Sequence, residues 1–204
     1  MASDRVSGTE GYAEEAEALV KQYERLSFAD VHGQVLHLIP TAPGRVLDIG
    51  SGTGRDAAAF ATMGHEVVAV EPTAEMRTRA AALHTSRRIE WLDDSLPNLT
   101  LLTKRGESFD VVMLTAVWMH LDPQQRQQAM PRVAGFVRRG GVMIFTLRHG
   151  PVPVGRRMFD VSAGETIQLA GAEGFGLTLK LENQVGLFGR TDVSWTRLAF
   201  SNEV

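Results

Sequence analysis

The stretch Val46-Leu47-Asp48-Ile49-Gly50-Ser51-Gly52-Thr53-Gly54 decides the fold, because an apolar strand ends in it and a glycine-rich turn follows at once. The three glycines occupy alternate positions. Glycine adopts positive φ without a steric penalty and lets the backbone approach a ligand closely. A strand, a glycine loop and the start of a helix in this order predict a pocket for a nucleotide-like ligand.

Asp48 bears on the kind of ligand, because it lies two residues before the first glycine. Loops that hold a dinucleotide through its pyrophosphate use the spacing G-x-G-x-x-G, whereas the spacing here is G-x-G-x-G. A carboxylate at this point would repel phosphate and attract a cation. S-adenosylmethionine (SAM) carries an ammonium and a sulfonium group and no phosphate, so the stretch favours SAM as the ligand.

A second acid, Glu71, follows the β-branched run Val67-Val68-Ala69-Val70. It lies about 20 residues beyond the glycine loop, the separation at which an acidic side chain meets the ribose diol of a bound nucleotide. The alternative is a solvated glutamate before Pro72 at the end of a strand. Together with Asp48 and the loop, the ribose role is favoured.

The chain has 204 residues, of which 44% are hydrophobic and 22% charged, which predicts one soluble α/β domain over residues 1–204. It contains no cysteine, so disulfides, thiolate metal sites and cysteine nucleophiles are excluded; we expect no metal site and a cytoplasmic location. We find no signal peptide and no apolar run of about 18 residues, so no membrane partner is expected. The net charge of −3 makes nucleic acid an unlikely partner and favours a small-molecule substrate.

Apolar periodicity and turn residues predict alternating strands and helices after Pro43-Gly44. Two helices precede that turn, one over residues 13–26 and one over residues 31–39. The predicted strands are 45–49, 67–70, 89–92, 109–114, 142–147, 177–183 and 193–200, and the predicted helices are 55–63, 74–84, 123–138 and 162–172. We expect Asp122 and Ser162 to cap the last two helices, and Gly140-Gly141 to end the helix that Asp122 begins.

This order predicts a doubly wound, Rossmann-like sheet of seven mostly parallel strands with helices on both faces. The last two strands are joined by only about nine residues, too few for a helical crossover, so the final strand is expected to be antiparallel. A terminal antiparallel hairpin differs from nicotinamide-binding Rossmann domains. The sequence resembles the class I SAM-dependent methyltransferases of small-molecule type, over about residues 41–204.

The resemblance implies SAM as cofactor and S-adenosylhomocysteine as product. It implies that Asp48 and the backbone of Gly50 and Gly52 hold the methionine part, and that Glu71 holds the ribose. The turn Asp93-Asp94-Ser95 would meet the adenine, and spacing does not choose between the two aspartates. The complete predicted cofactor site is Asp48, Gly50, Ser51, Gly52, Gly54, Glu71, Asp93, Asp94, Ser95, Thr115, Tyr12 and Tyr23.

Residues 1–40 are expected to form a helical lid over a SAM-binding α/β core at 41–204, as similar elements do in enzymes of this class. Tyr12 and Tyr23 could stack on adenine or meet the sulfonium by cation–π attraction. Tyr23 also fits the apolar stripe of the first helix, and packing in the core is favoured for it. Tyr12 is the freer candidate.

Methyl transfer from a sulfonium needs a positioned nucleophile and, for some acceptors, a base. His120 and His149 follow the fourth and fifth strands, at the sheet edge where ligands of open α/β folds bind, and both are catalytic candidates. The alternatives are a histidine that bonds backbone before Asp122, and a turn residue. Arg148 and Arg156 could hold an anionic group of the substrate, although surface charge is the commoner role of such residues.

Trp118 is expected to shape an apolar wall of the substrate pocket or to pack beneath it. The leading hypothesis is methyl transfer to an oxygen or nitrogen of a small metabolite. Two alternatives remain open, an RNA or protein methyltransferase and a noncatalytic SAM-binding module.

Overall fold

A single seven-stranded sheet organises the molecule, in a computed structural model that describes residues 6–202. Its strands lie in the order β3-β2-β1-β4-β5-β7-β6. Strands β1 to β5 pair in parallel, and β7 runs antiparallel to both of its neighbours. The strands are β1 Arg45–Ile49, β2 Glu66–Val70, β3 Ile89–Leu92, β4 Phe109–Thr115, β5 Val137–His149, β6 Gly176–Val185 and β7 Ser194–Ser201. The predicted Rossmann-like architecture with an antiparallel last strand is confirmed.

Helices cover both faces of the sheet. They are α1 Tyr12–Tyr23, α2 Phe28–His32, α3 Arg55–Thr62, α4 Ala74–Leu83, α5 Thr100–Arg105, α6 Pro123–Gly135 and α7 Ala163–Ala172, with 3-10 turns at Leu36–Leu38 and Trp118–His120. Because strand side chains alternate, Val46 packs in the core on the side of α2 and α3, and Leu47 packs in the core on the side of α5, α6 and α7. Both side chains are fully buried.

The predicted helix starts at Asp122 and Ser162 are confirmed. The Asp122 carboxylate accepts a hydrogen bond from the Gln125 backbone N–H, and the Gln125 side chain returns one to the Asp122 N–H. Ser162 accepts from the Glu165 backbone N–H in the same way. Each cap satisfies donors that the first helical turn leaves without an intrahelical partner.

The end of α6 differs from the prediction, because the helix ends at Gly135 rather than at Gly140-Gly141. Strand β5 begins at Val137, next to Phe109 of β4, and the Phe136 carbonyl accepts from the Phe109 N–H. Pairing with β4 therefore overrides the helical pattern. The two glycines lie inside β5, where the β4–β5 register shifts.

Two other helical predictions need correction. The second N-terminal helix, expected at 31–39, is the short α2, which Ser27 caps, followed by the 3-10 turn Leu36–Leu38. Helix α5 was not predicted, since its six residues show too little periodicity. Within residues 6–202, no helix combines the length and apolar character needed to cross a bilayer.

Candidate active site

A cavity of about 480 Å³ opens at the carboxyl ends of β1, β2 and β4 and continues along β5 and β7. Helix α1 closes one side, where Ala16 and Leu19 pack on Met76 of α4. The predicted site residues that line the cavity are Asp48, Gly50, Ser51, Gly52, Glu71, Asp94, Ser95, Thr115, Tyr12, Tyr23, His120, Arg148 and Arg156. The fold thus brings together side chains that are far apart in sequence.

The glycine loop is tied to the neighbouring strand by its own backbone. The N–H groups of Gly50 and Ser51 both donate to the Val70 carbonyl, at 2.8 and 2.9 Å. Gly50 has φ +72°, and a Cβ there would lie 2.4 Å from Val117. At Gly52, with φ +55°, a Cβ would meet no atom closer than 4.0 Å. Gly50 is therefore required by packing, and Gly52 leaves the backbone open to a ligand.

Gly54 differs from the other two loop glycines, because it does not line the cavity. It has φ +84° at the start of α3, and a Cβ would lie 2.5 Å from the Trp91 ring. The structure therefore gives Gly54 a packing role and does not place it among the residues that line the cavity.

Asp48 is almost completely buried, and its Oδ2 has no hydrogen-bond partner among residues 6–202. Burial, with the nearby Asp56 carboxylate, raises the pKa of Asp48 well above its usual range. Asp56 is itself paired: His32 Nε2 and Arg55 Nε each lie 2.8 Å from its carboxylate oxygens. Despite burial, these two partners hold the pKa of Asp56 well below its ordinary value. An unpartnered carboxylate oxygen at the cavity fits a cationic group of a ligand.

Glu71 holds the loop as well as facing the cavity. Its two oxygens accept from the backbone N–H groups of Gly52 and Thr73, at 2.9 and 2.8 Å. Burial raises the pKa of Glu71, and these N–H bonds oppose the shift. Each carboxylate oxygen keeps a second lone pair, so Glu71 can still accept from two hydroxyls.

The turn after β3 separates the two aspartates that the sequence left open. Asp93 lies outside the cavity, with a side chain 65% exposed and paired with Arg77 at 2.8 Å. Asp94 lines the cavity and accepts from the backbone N–H groups of Ser95 and Leu102. The geometry therefore favours Asp94.

Tyr12 and His120 form a connected pair on the wall between α1 and the turn after β4. His120 Nδ1 lies 2.8 Å from the Arg157 carbonyl, which only accepts, so Nδ1 carries the hydrogen. Burial lowers the pKa of His120, which favours the neutral ring with its lone pair on Nε2. The Tyr12 hydroxyl lies 3.1 Å from Nε2 and donates to it. The Arg156 guanidinium stacks 4.3 Å from the Tyr12 ring centroid and pairs with Glu15.

Two other predicted residues lie outside the cavity. His149 does not line it, and its Nε2 bonds to the Thr196 hydroxyl at 2.8 Å. Trp118 has no exposed surface and packs edge-on against Phe145, with 5.1 Å between ring centroids. Strand β5 extends through residue 149, so His149 stays within the sheet, and the 3-10 turn directs Trp118 into the core.

Several cavity residues were missed by the sequence interpretation. They include Arg55, Asp56, Phe188, Arg190, Trp195 and Arg197. Trp195 and Arg197 belong to β7, and the alternation of that strand was the available signal. The alternation alone does not show which face of β7 lies in the cavity, because that depends on the strand with which β7 pairs.

The fold and the glycine loop with its two acids resemble those of class I SAM-dependent methyltransferases. Residues 46–141 match the family model described as a methyltransferase domain.

Relatives and solved structures agree with this family. An uncharacterized methyltransferase of Mycobacterium tuberculosis is 33% identical over 111 residues, which are 51% of this chain and 40% of that protein. The chain thus spans less than half the length of this relative. A methyltransferase solved in complex with the Haloferax volcanii Trm112 activator superposes with a TM-score of 0.76 and 13% identity, covering 99% of this chain and 100% of that one. The Burkholderia thailandensis 1,6-didemethyltoxoflavin-N1-methyltransferase superposes with a TM-score of 0.64 and 19% identity. The superposition covers 100% of this chain and 94% of that one.

Proposed function

We propose that the protein transfers the methyl group of SAM to an oxygen or nitrogen atom of a small metabolite. The observation that carries this proposal is the buried Asp48 carboxylate, whose Oδ2 lacks a partner beside an open glycine loop. The Burkholderia thailandensis enzyme, solved with a small-molecule acceptor and S-adenosylhomocysteine, supports the same reaction class. The absence of cysteine supports a cytoplasmic setting.

The residues at the end of the cavity near the glycine loop fit the chemical groups of SAM. Asp48 would take the ammonium, Glu71 the ribose hydroxyls and Asp94 the adenine edge, with the Gly52 backbone against the methionine part. The hydroxyls of Ser51 and Thr115 are buried without partners and are available as further contacts. When bound, SAM supplies an electrophilic methyl group. Helix α1 and the segment before it would act as the lid, with residues 1–5 outside the described structure.

His120 is the proposed base, acting at Nε2. Its Nδ1–H is fixed on the Arg157 carbonyl, so the lone pair at Nε2 is directed at the Tyr12 hydroxyl. A proton released by the acceptor passes to the Tyr12 oxygen while the Tyr12 proton moves to Nε2. Because its pKa is lowered, the ring is neutral and ready to accept at neutral pH.

Titration of purified protein with SAM and S-adenosylhomocysteine tests the first layer of the proposal. We expect binding of both, and no binding of either at millimolar concentration would refute it. Transfer of labelled methyl from SAM to a metabolite extract tests the second layer. Label in RNA or protein would identify a macromolecular acceptor, and binding without any transfer would identify a noncatalytic module.

The His120→Gln variant tests the base. We expect kcat to fall by about 100-fold or more, with the affinity for SAM within about twofold of the wild type, because general bases contribute about this much. An unchanged kcat would show that His120 only supports the wall of the cavity. Rapid-quench measurement of a single turnover separates the chemical step from product release.

A further inference from the structure

The far side of the cavity is built on the antiparallel pair β5–β7. Register places Thr146 opposite Arg197, and Arg148 opposite Trp195. Positions 146 and 148 share one face of β5, and positions 195 and 197 share the same face of β7. All four residues line the cavity. Two guanidiniums therefore lie diagonally across one strand pair, with an indole beside them.

Arg197 is a buried cation that forms no ion pair with a carboxylate in the described part of the chain. It is 9% exposed, and one terminal nitrogen donates to the Val31 carbonyl at 2.8 Å. Its Nε has no hydrogen-bond partner. Burial lowers the pKa of Arg197, with no charged group opposing the shift. A buried guanidinium is costly unless an anion or full hydrogen bonding offsets its desolvation, so the side chain lacks a counter-charge.

Arg148 shows the same deficit. Its guanidinium donates to the carbonyls of Gly150 and Pro151, at 3.4 and 2.9 Å, and forms no ion pair with a described residue. Burial and the nearby Arg190 lower the pKa of Arg148, and the Asp192 carboxylate opposes the shift only in part. Asp192 is the acid on this side, and Arg190 already engages both of its oxygens, at 3.0 and 2.6 Å.

The other cavity arginines differ in this respect. Arg55 pairs with Asp56 at 2.8 Å, and Arg156 pairs with Glu15 at 2.8 Å. The unpaired positive charge therefore concentrates on β5 and β7, on the side of the cavity opposite the glycine loop.

We propose that the methyl acceptor is a small anion with an apolar body, whose carboxylate or phosphate is held by Arg148 and Arg197. This inference rests on the proposed function. The guanidinium fork binds either anion in a bidentate manner, and Trp195 and Phe188 supply apolar wall for the body. The anionic head is a binding group and not the atom that receives the methyl.

The test uses benzoate, phenyl phosphate and the neutral benzamide as probes. Each is titrated calorimetrically into the full chain, with and without saturating S-adenosylhomocysteine. We expect at least one anion to bind about tenfold more tightly than benzamide, the increment of a charge-assisted hydrogen bond. Preference for benzoate identifies a carboxylate head, and preference for phenyl phosphate identifies a phosphate head. Equal binding of benzamide, or no anion binding at millimolar concentration, overturns the proposal.

Three variants locate the effect. Arg148→Gln and Arg197→Gln are each expected to reduce the anion preference about tenfold. Arg138→Gln is the matched control, since Arg138 is on the same strand β5, half-exposed and paired with Asp110, and it should leave the preference unchanged. Preference retained in both test variants overturns the proposal. If S-adenosylhomocysteine fails to bind while the ligand-free protein still prefers the anion, the proposed function fails and the anion site stands.

Discussion

The two ends of the cavity carry opposite charge. The acidic end, defined by Asp48, Asp56, Glu71 and Asp94, lies around the glycine loop. The basic end, defined by Arg148, Arg190 and Arg197, lies on β5, β7 and the loop that precedes β7. A net charge of −3 over the whole chain conceals this separation. A field that changes sign within one cavity orients a cationic ligand and an anionic ligand toward each other.

The ends also differ in how their charges are satisfied. At the acidic end, backbone N–H groups and the side chains of His32 and Arg55 take most of the carboxylate oxygens, and Asp48 Oδ2 is the exception. At the basic end, Arg148 and Arg197 form no ion pair within residues 6–202, whereas Arg190 pairs with Asp192. The fold thus supplies partners for most carboxylates at the acidic end, whereas at the basic end an anionic ligand would supply the missing counter-charge.

Removing the unpartnered carboxylate should have the largest effect on the acidic end. The Asp48→Asn variant keeps the shape of the side chain and loses its charge, so SAM affinity should fall about 100-fold, the value of a hydrogen bond to a charged group. Calorimetric titration measures this loss.

Arg148→Gln serves as the reciprocal control, because its SAM affinity should remain that of the wild type. Asp48→Asn should in turn leave the preference for benzoate over benzamide unchanged. Equal SAM affinity in Asp48→Asn and the wild type would show that the charge at the glycine loop does not select the ligand. The opposite charges at the two ends of the cavity would then have no role in binding SAM.

A smaller loss of SAM affinity is expected when a side chain at position 52 keeps the ligand away from the backbone of the glycine loop. The Gly52→Ala variant adds a methyl group where no atom lies closer than 4.0 Å, so it should fold, with a backbone cost of about 1 kcal/mol from its positive φ. SAM affinity should fall about tenfold, because the methyl group keeps the ligand from the loop.

Gly54→Ala is the matched variant in the same loop. Its Cβ would lie 2.5 Å from Trp91, outside the cavity, so the melting temperature should fall more than in Gly52→Ala. Thermal unfolding and SAM titration together separate the two glycines. Gly52→Ala with full SAM affinity would contradict the proposed approach of the ligand at this point.

At the acidic end, the sequence pointed to Asp48, Glu71 and Asp94 but not to Asp56, and at the basic end it pointed only to Arg148. Asp48 and Glu71 each follow an apolar run, and parallel strands bring their carboxyl ends to one edge, so local patterns place both acids together. Arg197 lies within an antiparallel strand whose register with β5 is set by long-range pairing. No local pattern reports that pairing.

Long-range packing also explains the remaining differences. The glycines at 140 and 141 resemble a helix end, but β4 pairs with residues on both sides of them and incorporates them in β5. Trp118 follows a strand end, as a pocket residue would, yet the 3-10 turn buries it against Phe145. In each case the local sequence is compatible with two structures, a helix end or a strand at residues 140–141 and a pocket or a core position at Trp118. Tertiary contacts determine which one forms.

Tyr12 and His120 lie between the two ends, and the smallest predicted change is the shift in the His120 pKa when their hydrogen bond is removed. Tyr12→Phe keeps the ring beneath Arg156 and removes the donor to His120 Nε2. A hydrogen bond to the neutral ring favours that form, so its loss should raise the pKa of His120. A bond worth about 0.7 kcal/mol corresponds to a shift of about half a pKa unit.

The pH dependence of kcat/KM measures this shift. In the wild type the rate should rise with pH through a value below that of an ordinary histidine, because burial lowers the pKa of His120 and only the neutral ring accepts a proton. In Tyr12→Phe the rate should fall, because the relay through the hydroxyl is broken, and the remaining rise should move to higher pH. In His120→Gln the rise should disappear. A midpoint that stays in place in Tyr12→Phe would show that the hydroxyl does not reach the base during turnover, and the proton would then have to leave the acceptor without Tyr12.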